Sequence, residues 1–89
     1  MTEKELQGIE DRSISGTKAP WIPMIEGITH TSGEDFIMTG VNSANEYRNP
    51  ERGTDLYLIG GTKEDLIFIA NAKQDILKLI SEIRRLKKE

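Results

Sequence analysis

The chain has 89 residues, no cysteine, one histidine and a net charge of −3, from fifteen acidic and twelve basic side chains. This length allows one thin-cored domain, residues 1–89. The composition excludes disulfides, thiolate zinc sites and multi-histidine metal clusters, and the acidity argues against nucleic acid as a partner. Because the N-terminus is polar and no apolar run approaches the ~18 residues of a membrane span, we expect a cytoplasmic protein without a cofactor or membrane contact.

The first segment has the pattern of a short helix that begins with a capping box. Thr2 stands at the N-cap and Glu5 three residues later, followed by a narrow apolar face that includes Leu6. Gly8 weakens such a helix by about 1 kcal/mol relative to alanine, so the helix must dock or fray. Residues 1–19 are therefore interpreted as a mobile or docking N-terminal segment.

Three strand patterns follow, near residues 21–26, 35–39 and 55–59. Pro23 has no N–H group to give to a ladder, which favours an edge position for the first strand. The turn-rich stretch before the second strand predicts an antiparallel hairpin with its loop near Gly33.

The last segment is predicted to be one helix from Lys63 to about Lys88, because it lacks glycine and proline and its apolar residues recur at helical spacing. Leu66 and Ile80 widen an apolar stripe whose main members alternate at three and four residues, as the a and d positions of a heptad repeat do. These members are Ile69, Ala72, Ile76, Leu79, Ile83 and Leu86.

This helix is long for its sheet. About 26 helical residues span ~39 Å, whereas short strands span ~17–20 Å. We therefore expect an α+β fold in which a short N-terminal helix and a three-stranded antiparallel sheet accompany a long C-terminal helix. That helix packs on the sheet and extends into a homo-oligomer interface formed by the six stripe residues. The alternative is that the N-terminal helix folds back over it.

The glycine pair in "GGTKED", just before this helix, has two interpretations. A helix N-terminus behind glycines can bind phosphate. However, Thr62 and Asp65 have the spacing of a side-chain cap, and the charges of Glu64 and Asp65 oppose an anion. The pattern therefore favours a capped helix start.

Both ends of the chain resemble a known group of proteins. Pro20-Trp21, Phe68-Ile69-Ala70, Asp75 and the Leu79 to Glu82 spacing are similar to the pattern of small phage and prophage proteins, such as the Ead-type early-region proteins of lambdoid phages. The resemblance implies a phage-borne accessory protein in the host cytosol, with no catalytic motif to carry over. Some such accessory proteins bind host proteins, and others sequester the nucleotide signals of bacterial immune systems.

Residues 40–54 form a long stretch without apolar periodicity, which is typical of functional or disordered loops. Arginine forks, amide groups and a stacking ring are the groups that a binder of a phosphorylated ligand needs. The candidate ligand contacts are Asn45, Tyr47, Arg48, Arg52 and Trp21. Two alternatives stay open, since the loop can be an ordinary solvated one and Trp21 can be a core anchor.

Catalysis has little support in the sequence. His30 lies near carboxylates but has no nucleophile or oxyanion donor beside it, and it is interpreted as a loop histidine. The sequence therefore predicts a non-enzymatic, homo-oligomeric accessory protein that sequesters a small anionic ligand, namely a nucleotide immune signal. The alternative is a protein-interaction module whose long helix binds and inhibits a host protein.

Overall fold

The computed structural model describes residues 1–29, 33–41 and 55–88. These residues form an α+β fold with the predicted order of elements. The helices and strands are α1 (Glu3–Ser15), β1 (Ile22–Met24), β2 (Phe36–Met38), β3 (Leu56–Tyr57) and α2 (Lys63–Lys88). The predicted bounds of α2 are confirmed.

The three strands form one antiparallel sheet in the order β1-β2-β3. Ile37 pairs with Pro23 on one side and with Leu56 on the other, so among the described strands β1 lies at the edge, as Pro23 predicted. Every residue of β2 is buried, which matches the uninterrupted apolar run of a strand with two covered faces.

The strands are shorter than predicted, and at both ends of β1 side chains bind the backbone. The side chain of Gln74 on α2 accepts from the N–H group of Trp21 at 2.9 Å and donates to its carbonyl oxygen at 3.0 Å. At the other end of β1, the N–H group of Ile25 donates to the hydroxyl of Thr29 at 2.7 Å. Beyond β3, Leu58 turns to pack against the core instead of extending the ladder.

The pleat of the sheet separates two apolar clusters, because successive residues of a strand point to opposite faces. One cluster contains Met24, Phe36, Met38 and Val41, with Ile22 packed against it. The second lies between the sheet and the first turns of α2. It contains Ile25, Ile37, Leu66 and Ala70, with Trp21 and Leu58 packed against it.

Helix α1 folds back along the distal half of α2, which was the alternative expectation. Its capping box is confirmed: the N–H group of Thr2 donates to Glu5 at 2.8 Å, and the N–H group of Glu5 donates to the Thr2 hydroxyl at 3.1 Å. The two helices are antiparallel, since Glu3 lies 3.2 Å from Arg84 and the carbonyl of Ser13, near the other end of α1, accepts from Lys73. Among the residues of α1, all of which the structure describes, Leu6 alone is buried.

The capped start of α2 is also confirmed. The N–H group of Thr62 donates to Asp65 at 2.9 Å, and the N–H group of Asp65 donates to the Thr62 hydroxyl at 3.1 Å. Gly61 has a φ of +75°, and a Cβ atom there would lie 3.1 Å from the Asp65 carboxylate and 3.2 Å from Leu58. Gly61 therefore permits both the positive φ of this turn and the close approach of the capping Asp65.

Candidate functional site

Helix α2 carries two apolar stripes on different faces. The buried stripe includes Leu66, Ala70 and Ile80, and it faces the sheet and α1. Leu66 and Ile80, predicted to widen the heptad stripe, are 1% and 3% exposed and lie on the buried face of α2, so they add no exposed surface to that stripe. The six heptad residues, which we call the seam, lie roughly 110° around the helix from that face.

The seam stays exposed although both described core clusters are packed and α1 is docked. The exposed fractions are 40% for Ile69, 36% for Ile76, 61% for Leu79 and 56% for Leu86. Ala72 and Ile83 are half-buried. The seam runs about 26 Å along the helix at 1.5 Å per residue. An exposed apolar strip of this kind is a candidate surface for contact with another protein.

The apolar surface continues beyond the seam at the N-terminal end of α2. Phe68 is 73% exposed and Ile59, in the turn before the helix, is 99% exposed. Together with Ile69 they border a shallow hollow between this turn and the helix. This end of the helix therefore offers more apolar surface than the seam alone.

Opposite charges border the two sides of the seam. Asp75 and Glu82 lie on one side, where Glu82 binds Arg85 of the next turn through both carboxylate oxygens and its pKa is lowered by these hydrogen bonds. Lys73 and Lys87 lie on the other side. The ammonium group of Lys73 sits 5.1 Å from the centre of the Trp21 ring, and that of Lys87 lies 3.6 Å from Glu3.

Arg84 attaches α1 to the distal half of α2. Its guanidinium group donates to Glu10 at 2.7 Å, to Glu3 at 3.2 Å and to the side-chain oxygen of Gln7 at 3.1 Å. The hydrogen bond from Arg84 lowers the pKa of Glu10, and the same bond raises the pKa of Arg84. Sequence reasoning missed this contact. The sequence does contain a signal for it. Glu3, Gln7 and Glu10 lie on one face of the first helix, and such a row of acids and an amide favours a cationic side chain on the neighbouring element.

Acid is expected to loosen α1, because the pKa of Glu10 is lower in the folded chain than its unfolded value of about 4.3. A lowered carboxyl pKa contributes stability at neutral pH, and this contribution disappears as the pH falls through the folded pKa. The unfolding free energy of the wild type should therefore drop between pH 5 and pH 3 by more than that of a Glu10→Gln variant. Urea unfolding at several pH values checks this, and parallel pH profiles would contradict it.

The predicted ligand contacts Asn45, Tyr47, Arg48 and Arg52 lie outside the described residues, as does His30. Trp21 is half-buried and packs against the cluster between sheet and helix. Its indole N–H group donates to the carbonyl of Thr17 at 3.0 Å. These contacts suit a core anchor, and the ligand role of all five residues stays a prediction.

The described residues contain no group of three or more histidine, cysteine, aspartate or glutamate side chains placed to hold a metal ion. Within the same residues, no helix combines the length and the apolar character that crossing a membrane requires. No protein-family model, no curated protein and no solved structure matches the chain. The resemblance to phage accessory proteins and the cytosolic location therefore stay predictions.

Proposed function

We propose that the chain is a non-catalytic interaction module that associates with a second copy of itself through the seam of α2. The observation that carries this proposal is the exposure of the seam. Leu79 and Leu86 keep more than half of their surface in contact with solvent after both core clusters have formed. Burying this surface against a second helix would remove apolar area from water at about 25 cal/mol per Å².

The identity of the seam residues favours a second copy as the occupant. All three a positions are isoleucine, namely Ile69, Ile76 and Ile83, and two of the three d positions are leucine. Isoleucine at a with leucine at d is the combination that selects two-stranded coiled coils. A small domain with a thin core also gains stability from such an association.

Self-association would also serve the ligand hypothesis, because a dimer carries two copies of Arg48 and Arg52 in one particle. Sequestration of an anionic ligand stays a prediction from the sequence, as does inhibition of a host protein. The interaction module is the part of these hypotheses that the exposed seam supports. It requires only α2, all of which the structure describes.

The test is the molar mass in solution, measured by size-exclusion chromatography with light scattering at tens of micromolar protein. The wild type should approach twice the chain mass of 10.0 kDa. A Leu79→Glu variant should remain at the mass of one chain, because it places a charge in the centre of the seam. We expect its dimer dissociation constant to rise at least a hundredfold, since burying an unpaired carboxylate costs several kcal/mol.

The matched control is Asn71→Glu, which introduces the same charge at an exposed position of α2 away from the seam. This variant should dimerise like the wild type. A wild type that stays at the mass of one chain throughout this concentration range would overturn self-association. It would leave the seam as the binding surface for a different protein.

A further inference from the structure

We infer that the two α2 helices pair in parallel and in register, an inference that rests on the proposed self-association. The deciding feature is the placement of charge beside the seam. Counting Ile69 as an a position puts Asp75 and Glu82 at g positions and Lys73, Ile80 and Lys87 at e positions. These flanking positions set the orientation of coiled-coil helices.

Parallel pairing brings one set of opposite charges together, while Asp75 would face the buried Ile80. In that arrangement a g residue faces the e residue five positions further along the other helix. Glu82 therefore faces Lys87 of the second copy, and by symmetry the same pair forms twice. Both side chains are accessible for this contact, since 53% of the Glu82 side chain and 44% of the Lys87 side chain are exposed.

Antiparallel pairing brings like charges together. If Ile69 opposed Leu86 of the second copy, g positions would face g positions, and Asp75 would lie beside Glu82 of the second copy. Symmetry would repeat this acidic pair on the same side of the seam. Like charges at such close positions are unfavourable, so the charge pattern selects the parallel arrangement.

Helix α1 leaves room for this partner. Through Arg84 it contacts the buried face of α2, and the centre of that face lies roughly 110° from the centre of the seam. Helices pack with their axes 8–10 Å apart, so two neighbours separated by that angle on one helix do not collide. Lys87 contacts Glu3 of its own chain at the edge of α1 and stays accessible from the seam side.

Parallel pairing has a consequence for function. The N-terminal ends of both α2 helices, with Ile59 and Phe68 exposed beside them, lie at the same end of the dimer. Both sheets lie at that end too, because α2 packs on the sheet through Leu66 and Ala70 in its first turns. The dimer thus presents two equivalent copies of its sheet end in one direction, a geometry that suits a partner with two-fold symmetry.

Disulfide cross-linking tests the orientation. The chain has no cysteine, so each introduced thiol is the sole one in its chain. In a parallel dimer Ala72 lies beside Ala72 of the second copy, within the ~7 Å Cα separation that a disulfide spans. In the antiparallel dimer it lies beside Ile83. Ala72→Cys should therefore cross-link on mild oxidation as a single variant.

The comparison arms are an Ile83→Cys variant mixed with Ala72→Cys, and an Asn71→Cys control at an exposed position away from the seam. We expect strong homodimer bands for each seam variant alone and none for the control. Cross-linking that appears only in the mixture would overturn the parallel orientation and leave self-association intact. If light scattering gives the mass of a dimer but no arm cross-links, the seam is not the interface. If the wild type has the mass of one chain, the proposed function itself is overturned.

Discussion

Replacing Leu66 with alanine is expected to lower the free energy of unfolding by about 3 kcal/mol. Leu66 is 1% exposed and packs with Ile25, Ile37 and Ala70 between α2 and the sheet. Removal of its branched end leaves a cavity in the cluster that packs α2 against the sheet. Small domains have total stabilities near 5 kcal/mol, so the variant should melt more than 10 °C below the wild type.

The matched control is Leu86→Ala, the same substitution on the same helix at a residue that is 56% exposed. Both substitutions are best made in the Leu79→Glu background, so that pairing through the seam does not contribute. Urea unfolding should then show a loss of less than about 0.5 kcal/mol for Leu86→Ala. Equal losses for the two variants would contradict the assignment of the buried and exposed faces of α2.

The elements predicted correctly are those that local sequence determines. The bounds of α2 follow from a run without glycine or proline, and both helix starts follow from residues three positions apart, as Thr2 with Glu5 and Thr62 with Asp65 show. The edge position of β1 follows from the missing N–H group of Pro23. Each of these follows from residues that are close together in the sequence.

The strand ends and the docking of α1 depend on contacts between distant residues, which local patterns do not contain. Trp21 meets Gln74 across 53 residues, and Glu3 meets Arg84 across 81. A glutamine side chain that bonds both backbone groups of a tryptophan looks in sequence like any exposed polar residue of a helix. The early end of β1 was therefore beyond sequence reasoning.

Heptad spacing identified the six residues of the seam, and four of them are exposed. Their role as an interface stays a prediction. Leu66 and Ile80 satisfy the helical period equally well, so the sequence could not say which of two neighbouring stripes meets the sheet. Arg48 and Arg52 lie outside the described residues, so their role as ligand contacts stays a prediction.

Replacing Leu6 with alanine is expected to release α1 while the sheet and α2 stay folded. Leu6 is 1% exposed and lies on the face of α1 whose Glu3 and Glu10 bind α2, so it is the apolar anchor of that contact. A buried leucine truncated to alanine loses about 2–5 kcal/mol. The polar contacts around Arg84 are partly exposed, and such contacts stabilise too little to compensate.

Released α1 should also unfold. Helices shorter than about 12–15 residues are marginal in water, and Gly8 in its middle weakens this one further. Of the 39 helical residues in the described part of the chain, 13 lie in α1 and 26 in α2, so circular dichroism should lose about a third of its helical signal. Hydrogen exchange should show protection lost in α1 and retained around Leu66.

The control is Ile14→Ala on the same helix, at a residue 60% exposed, which should change neither measurement. A single cooperative transition with full helical signal in Leu6→Ala would show instead that α1 is an inseparable part of the core.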